Sequence, residues 1–81
     1  MSRIEKIAQR NGIATIKLKL GEEASELVEA VYNNDHDNII EEIADVFICA
    51  MQYVKLLDVE DELKEIHEQK IKRTMERLGI T

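Results

Sequence analysis

The chain has no proline and no tryptophan, three glycines, one cysteine and very few aromatic residues. Without proline and with so few glycines it lacks the turn residues that a β-sandwich or barrel needs at every strand end. A single cysteine, Cys49, excludes an internal disulfide and any multi-cysteine zinc site. The N-terminus carries no apolar stretch resembling a signal peptide, which points to a cytoplasmic protein. The longest apolar runs are a few residues, far short of the about 18 to 20 needed to span a bilayer, so no membrane partner is expected.

What is present is 44% hydrophobic and 35% charged residues in 81 positions, a composition rich in helix formers. The length suits one domain spanning residues 1–81, near the size at which a lone chain struggles to bury enough surface. The net charge of −6 argues against nucleic acid as a partner. Its distribution is uneven: residues 1–21 hold five basic and one acidic residue, 22–62 one basic and thirteen acidic, and 63–81 five basic and three acidic. An acidic middle between basic ends reads either as solvated helix faces or as a cation site beside groups that hold phosphate.

Periodicity predicts an all-α chain of four helices. The first runs from Met1 to Arg10 and stops at Asn11-Gly12. The second, Ile13 to about Tyr32, carries Ile13, Ile16, Leu20, Ala24, Leu27 and Val31 as one apolar stripe and breaks at Asn33-Asn34-Asp35. The third opens at an Asn38–Glu41 capping box, with Asp35 or Asp37 as alternative caps, and runs to about Leu57 with an Ile39, Ile43, Val46, Ala50, Val54, Leu57 stripe. Asp58 caps the fourth, which ends at Gly79. The third helix is apolar nearly all round, and so short a chain has too few partners to cover it. A homo-oligomer, dimer or tetramer, is therefore expected.

At 100° per residue Glu23 projects within about 20° of Ile16, and Glu26 lies about 60° further round, with Lys19 between them. Glu22 and Glu29 fall opposite the stripe. On the third helix Glu42 projects between Cys49 and Tyr53, and Asp45 lies near Gln52 and Leu56. Asp45 sits within an apolar stretch where an unpaired buried charge costs several kcal/mol, so it needs a partner. A short connection favours antiparallel packing, which would bring Glu23, Glu26, Glu42 and Asp45 together. Four carboxylates repel unless a cation neutralises them, and all-oxygen ligation selects Mg²⁺, or Mn²⁺, completed by substrate phosphates. The competing reading is a set of ion pairs with lysines on adjacent helices. A di-iron bundle site is disfavoured, since Asn33 and Lys64 stand where Glu-x-x-His would need acids before His36 and His67.

Glu22-Glu23-x-x-Glu26, fifteen intervening residues and Glu42-x-x-Asp45 resemble the EExxE…ExxD signature of MazG-like all-α nucleotide pyrophosphohydrolases. Lys19 to Leu27 and Glu42 to Val46 look like the two motif helices of that family. The resemblance implies a four-helix MazG-like bundle with subunits packed into an oligomer. It also implies Mg²⁺-dependent hydrolysis of a nucleoside triphosphate between its α and β phosphates, giving the monophosphate and pyrophosphate in nucleotide house-cleaning. By the same resemblance Glu23, Glu26, Glu42 and Asp45 are metal ligands, and Glu23 or Glu26 helps deprotonate the attacking water. Lys70-Ile71-Lys72-Arg73 resembles the basic motif of the later helix, so Lys70 and Arg73, with Lys19, are expected on phosphate oxygens. Two other functions stand beside this one. Phosphoribosyl-ATP pyrophosphohydrolases carry a similar Lys-x-Gly-Glu-Glu segment and Ile-Ala-Asp, and a non-catalytic helical interaction module would keep the fold without turnover.

Overall fold

The computed structural model describes residues 1–81 and contains three helices and no strand: α1 (Arg3–Tyr32), α2 (His36–Leu57) and α3 (Glu60–Leu78). Three helices stand where four were expected, because α1 takes in both segments on either side of Gly12, whose backbone, φ 78 and ψ 163, is non-helical and kinks the chain at the predicted Asn11-Gly12 stop. That combination of angles belongs to a region open essentially to glycine alone. Just before the kink, Asn11 donates from Nδ2 to Oε1 of Gln52 on α2 at 2.9 Å, which ties the kink to the partner helix.

Capping sets the remaining boundaries. Ser2 accepts from the Glu5 amide at 3.1 Å and opens α1, while Asn34 takes the left-handed conformation after it. Asp35, the alternative cap, opens α2 by accepting from the Asn38 amide at 3.4 Å, which leaves Asn38 inside the helix. Asp58 does not cap α3. It lies at φ 54, ψ 50 and closes α2 through its own N–H. The α3 N-terminus has no side-chain cap, and Glu60, Asp61 and Glu62 complement its dipole instead. Gly79, at φ 70, ends α3 where the sequence placed its end.

Helix α1 packs along α2, and α3 touches α2 but not α1. The covered line on α1 is Ile16, Leu20, Glu23, Leu27 and Ala30, and on α2 it is Ile39, Glu42, Val46, Cys49, Gln52 and Tyr53. Steps alternating between three and four mark a coiled-coil-like seam. The expected stripes are met in part: Ile16, Leu20 and Leu27 on α1 and Ile39, Val46, Ala50 and Val54 on α2 are covered, whereas Ile13, Ala24 and Val31 on α1, and Ile43 and Leu57 on α2, are exposed. Glu23 and Glu42 stand in the covered line beside these aliphatic residues. Lys55 ties the far end, hydrogen-bonding Glu60 of α3 and lying 3.8 Å from Glu5 of α1.

Only six residues are buried: Ala8, Ile16, Ala30, Cys49, Glu42 and Gln52. Helix α3 buries none. The radius of gyration is 15.1 Å, against about 12 Å for a compact chain of this length. The accessible surface of 6588 Å² exceeds the roughly 5,000 Å² typical of a folded monomer of this mass. Phe47, Ile40 and Met51 on the outer side of α2 stand open, and a groove of about 420 Å³ between α2 and α3 is lined by Phe47, Met51, Leu63 and His67 among others. No helix is long and apolar enough to cross a membrane.

Candidate metal centre

The antiparallel pairing of α1 with α2 brings Glu23, Glu26 and Glu42 together, with one carboxylate oxygen from each lying within 4.8 Å of the others. Their placement differs by depth. Glu42 is buried, Glu23 half-buried and Glu26 exposed, so the cluster opens from the seam toward solvent. The Oε2 atoms of Glu23 and Glu42 are sealed from solvent and have no hydrogen-bond partner. An unpartnered buried carboxylate oxygen is costly, and two facing a third acid are costlier.

The electrostatics follow from that crowding. The Glu42 carboxyl is pushed up to about 7, first by desolvation, then by the Glu26 carboxylate against it and by the charges of Glu23 and Asp45. Glu23 is also raised, chiefly by desolvation and then by Glu26 and Asp45, while Glu42 and Lys19 act the other way. Cys49, two turns beyond Glu42 along α2, has its thiol raised by burial and by the Glu23 charge, and is therefore not a reactive thiolate.

Asp45 lies outside the group of three and is exposed, so within one chain it does not carry the buried charge its apolar neighbours suggested. The reason is that α2 is covered on one side only. Its charge still reaches Glu23, Glu42 and Cys49. Lys19 is exposed on the same stretch of α1 and near enough to act on Glu23 and Cys49. Lys70 and Arg73 are exposed on α3, which makes no contact with α1, so one chain does not bring them to the carboxylates. Sequence reasoning missed the Asn11–Gln52 pair. Its signal was a glutamine three residues after Cys49, in a register otherwise given to seam residues.

The donor set suits a hard divalent ion: three carboxylates, no histidine, and two sealed oxygens that no protein group satisfies. Residues 11–78 match the model of the MazG nucleotide pyrophosphohydrolase domain. The chain belongs to this family. The MazG chain is also 35% identical over 74 residues to phosphoribosyl-ATP pyrophosphatase from two type A strains of Clostridium botulinum, a match covering 85% of this chain and 67% of those proteins. No solved structure matches it. Like its family, this MazG domain is an enzyme that hydrolyses phosphoric anhydrides.

Proposed function

We propose that residues 1–81 form a single cytoplasmic MazG domain that cleaves nucleoside triphosphates between the α and β phosphates, releasing the monophosphate and pyrophosphate in nucleotide house-cleaning. The observation that carries this reading is the pair of sealed, unpartnered oxygens of Glu23 and Glu42 facing Glu26. Glu23, Glu26, Glu42 and, from the rim, Asp45 would hold Mg²⁺, with Mn²⁺ as the alternative. Such an ion supplies charge neutralisation on the polyphosphate and a fixed orientation for the attacking water.

The chain's own residues do the rest. Water adds to one of the two phosphorus atoms flanking the α–β bridging oxygen, the bond from that phosphorus to the bridging oxygen breaks to release the monophosphate and pyrophosphate, and Glu23 or Glu26 takes the proton released by the water. Lys19 contacts phosphate oxygens from the same helix.

Lys70 and Arg73 join them from a second copy, in a homo-oligomer. What supports association is surface area: the excess over a compact monomer is about 1,600 Å², whereas a standard interface removes about 800 Å² per partner.

A second reading is phosphoribosyl-ATP as substrate, favoured by the name of the Clostridium botulinum relatives. Pyrophosphate release from a panel of canonical and damaged nucleoside triphosphates and phosphoribosyl-ATP, with Mg²⁺ or Mn²⁺, separates the two. Turnover of the triphosphates and its loss in Asp45→Asn, with helicity retained, is the expected result. Release from phosphoribosyl-ATP alone would install the second reading, and release from neither would overturn both.

A further inference from the structure

Helix α3 runs for 19 residues, buries none of them and has no side-chain cap at its start. Its first turns border α2 at the groove of about 420 Å³, which Leu63, Lys64 and His67 line from the α3 side. A second hollow of about 310 Å³ continues along α3 past His67, Lys70, Ile71, Thr74 and Leu78. His67 lines both. At 100° per residue Leu63, Ile71, Thr74 and Leu78 project within about 40° of His67, and Lys64 and Lys70 flank it at about 60° on either side. The histidine is the centre of one stripe.

Nothing in one chain covers that stripe or balances its cations. No carboxylate side chain lines either hollow, and the ion pairs of the chain belong to Lys55. From α2 the groove presents Phe47, Ala50 and Met51, none of them titratable, and α1 makes no contact with α3. On α3 the charged groups beside His67 are Lys64 and Lys70, with Glu60 two turns back and held by Lys55. A proton on the imidazole would put a third positive charge in an apolar patch, and histidine is the side chain whose charge changes between about pH 5 and 8.

The area left open points to a second copy as the occupant. Accessible surface exceeds that of a compact monomer by about 1,600 Å², twice what a standard interface removes from one partner. The outer side of α2 extends the same apolar surface, because the residues within about 60° of Phe47, among them Ile40, Ile43 and Met51, include no charged one. Two copies can therefore meet apolar centre to apolar centre.

We propose that the groove formed by α2 and α3 receives a second copy of this chain, and that protonation of His67 sets how tightly the copies hold. Neutral, His67 packs as part of the stripe. Protonated, it is a desolvated charge between two lysines against an apolar surface, which weakens the interface. The inference rests on the homo-oligomer of the proposed function and not on its substrate.

Sedimentation over a dilution series at pH 8 and pH 5.5, in chelator at fixed ionic strength, compares wild type with His67→Gln and His67→Arg. Position 67 is exposed in one chain, so both variants should fold, and circular dichroism checks that they do. Expected is a wild-type dissociation constant about tenfold or more higher at pH 5.5, a change of about threefold or less in His67→Gln, and weak association at both pH values in His67→Arg. Well above both constants the same species persists at either pH, which keeps thermal melts there comparable. A wild-type constant that holds steady or tightens toward pH 5.5, or a glutamine variant that tracks wild type, would overturn the inference and leave the oligomer standing. A chain that stays monomeric at every concentration and both pH values would refute the oligomer itself, and this inference with it.

Discussion

Glu42 gives the sharpest test of the acid cluster because its folded and unfolded states bind protons differently. In the unfolded chain its carboxyl titrates near 4.5, and in the folded chain near 7, with desolvation as the first cause and the Glu26 carboxylate as the second. Between those values the folded state holds more protons than the unfolded one. Stability conferred by protonated Glu42 is therefore present below about 4.5 and is lost as pH rises through about 7.

Metal-free protein in a chelator should accordingly melt at progressively lower temperature from pH 5 to pH 8, and Glu42→Gln, which mimics the protonated acid, should flatten most of that slope. Added Mg²⁺ should raise the melting temperature of wild type at pH 8 and do so much less for Glu42→Gln, since binding to the folded state stabilises it by mass action. Thermal melts at fixed protein concentration, with and without chelator, read both effects. A wild-type melting temperature that holds steady or climbs over this range without metal, at unchanged oligomeric state, would refute the reasoning.

Two further predictions concern the backbone and the open face. Gly12→Ala should cost about 1–3 kcal/mol, because φ 78 with ψ 163 is nearly closed to other residues, even though an added Cβ meets nothing within 4 Å. Gly21→Ala, inside regular helix with equal room, should instead stabilise by about 0.5–1 kcal/mol, and urea melts of the two side by side check the opposite signs. Phe47→Asp changes a side chain that is 67% exposed in one chain, where a substitution should be near neutral. Sedimentation should nevertheless show it falling to a smaller species with a lower melting temperature, and an unchanged mass would place the subunit interface elsewhere.

The all-helical class, the α3 terminus at Gly79 and the convergence of Glu23, Glu26 and Glu42 were legible from spacing alone, because helical periodicity fixes which residues share a side. Which edge of each stripe stays open was not. Ile13, Ala24 and Val31 on α1 and Ile43 and Leu57 on α2 share their stripes with covered residues, and spacing alone does not say which edge a single partner helix covers. Asp58 misled for a different reason: aspartate suits both a helix N-cap and a left-handed C-terminal position, and only the backbone decides between them. The openness of Asp45 and of α3 depends on what lies beside one chain, which no residue pattern within it specifies.

Glu23 and Glu42 occupy the rows of the α1–α2 seam where a designer seeking a robust hairpin would write leucine. Under the proposed function, substituting leucine at both should zip the two helices more firmly and remove metal-dependent turnover in the same stroke. That reading sets thermal robustness against catalytic competence at two shared positions. Selection for heat tolerance in this chain should find its improvements elsewhere, at Gly21 or across the bare side of α2.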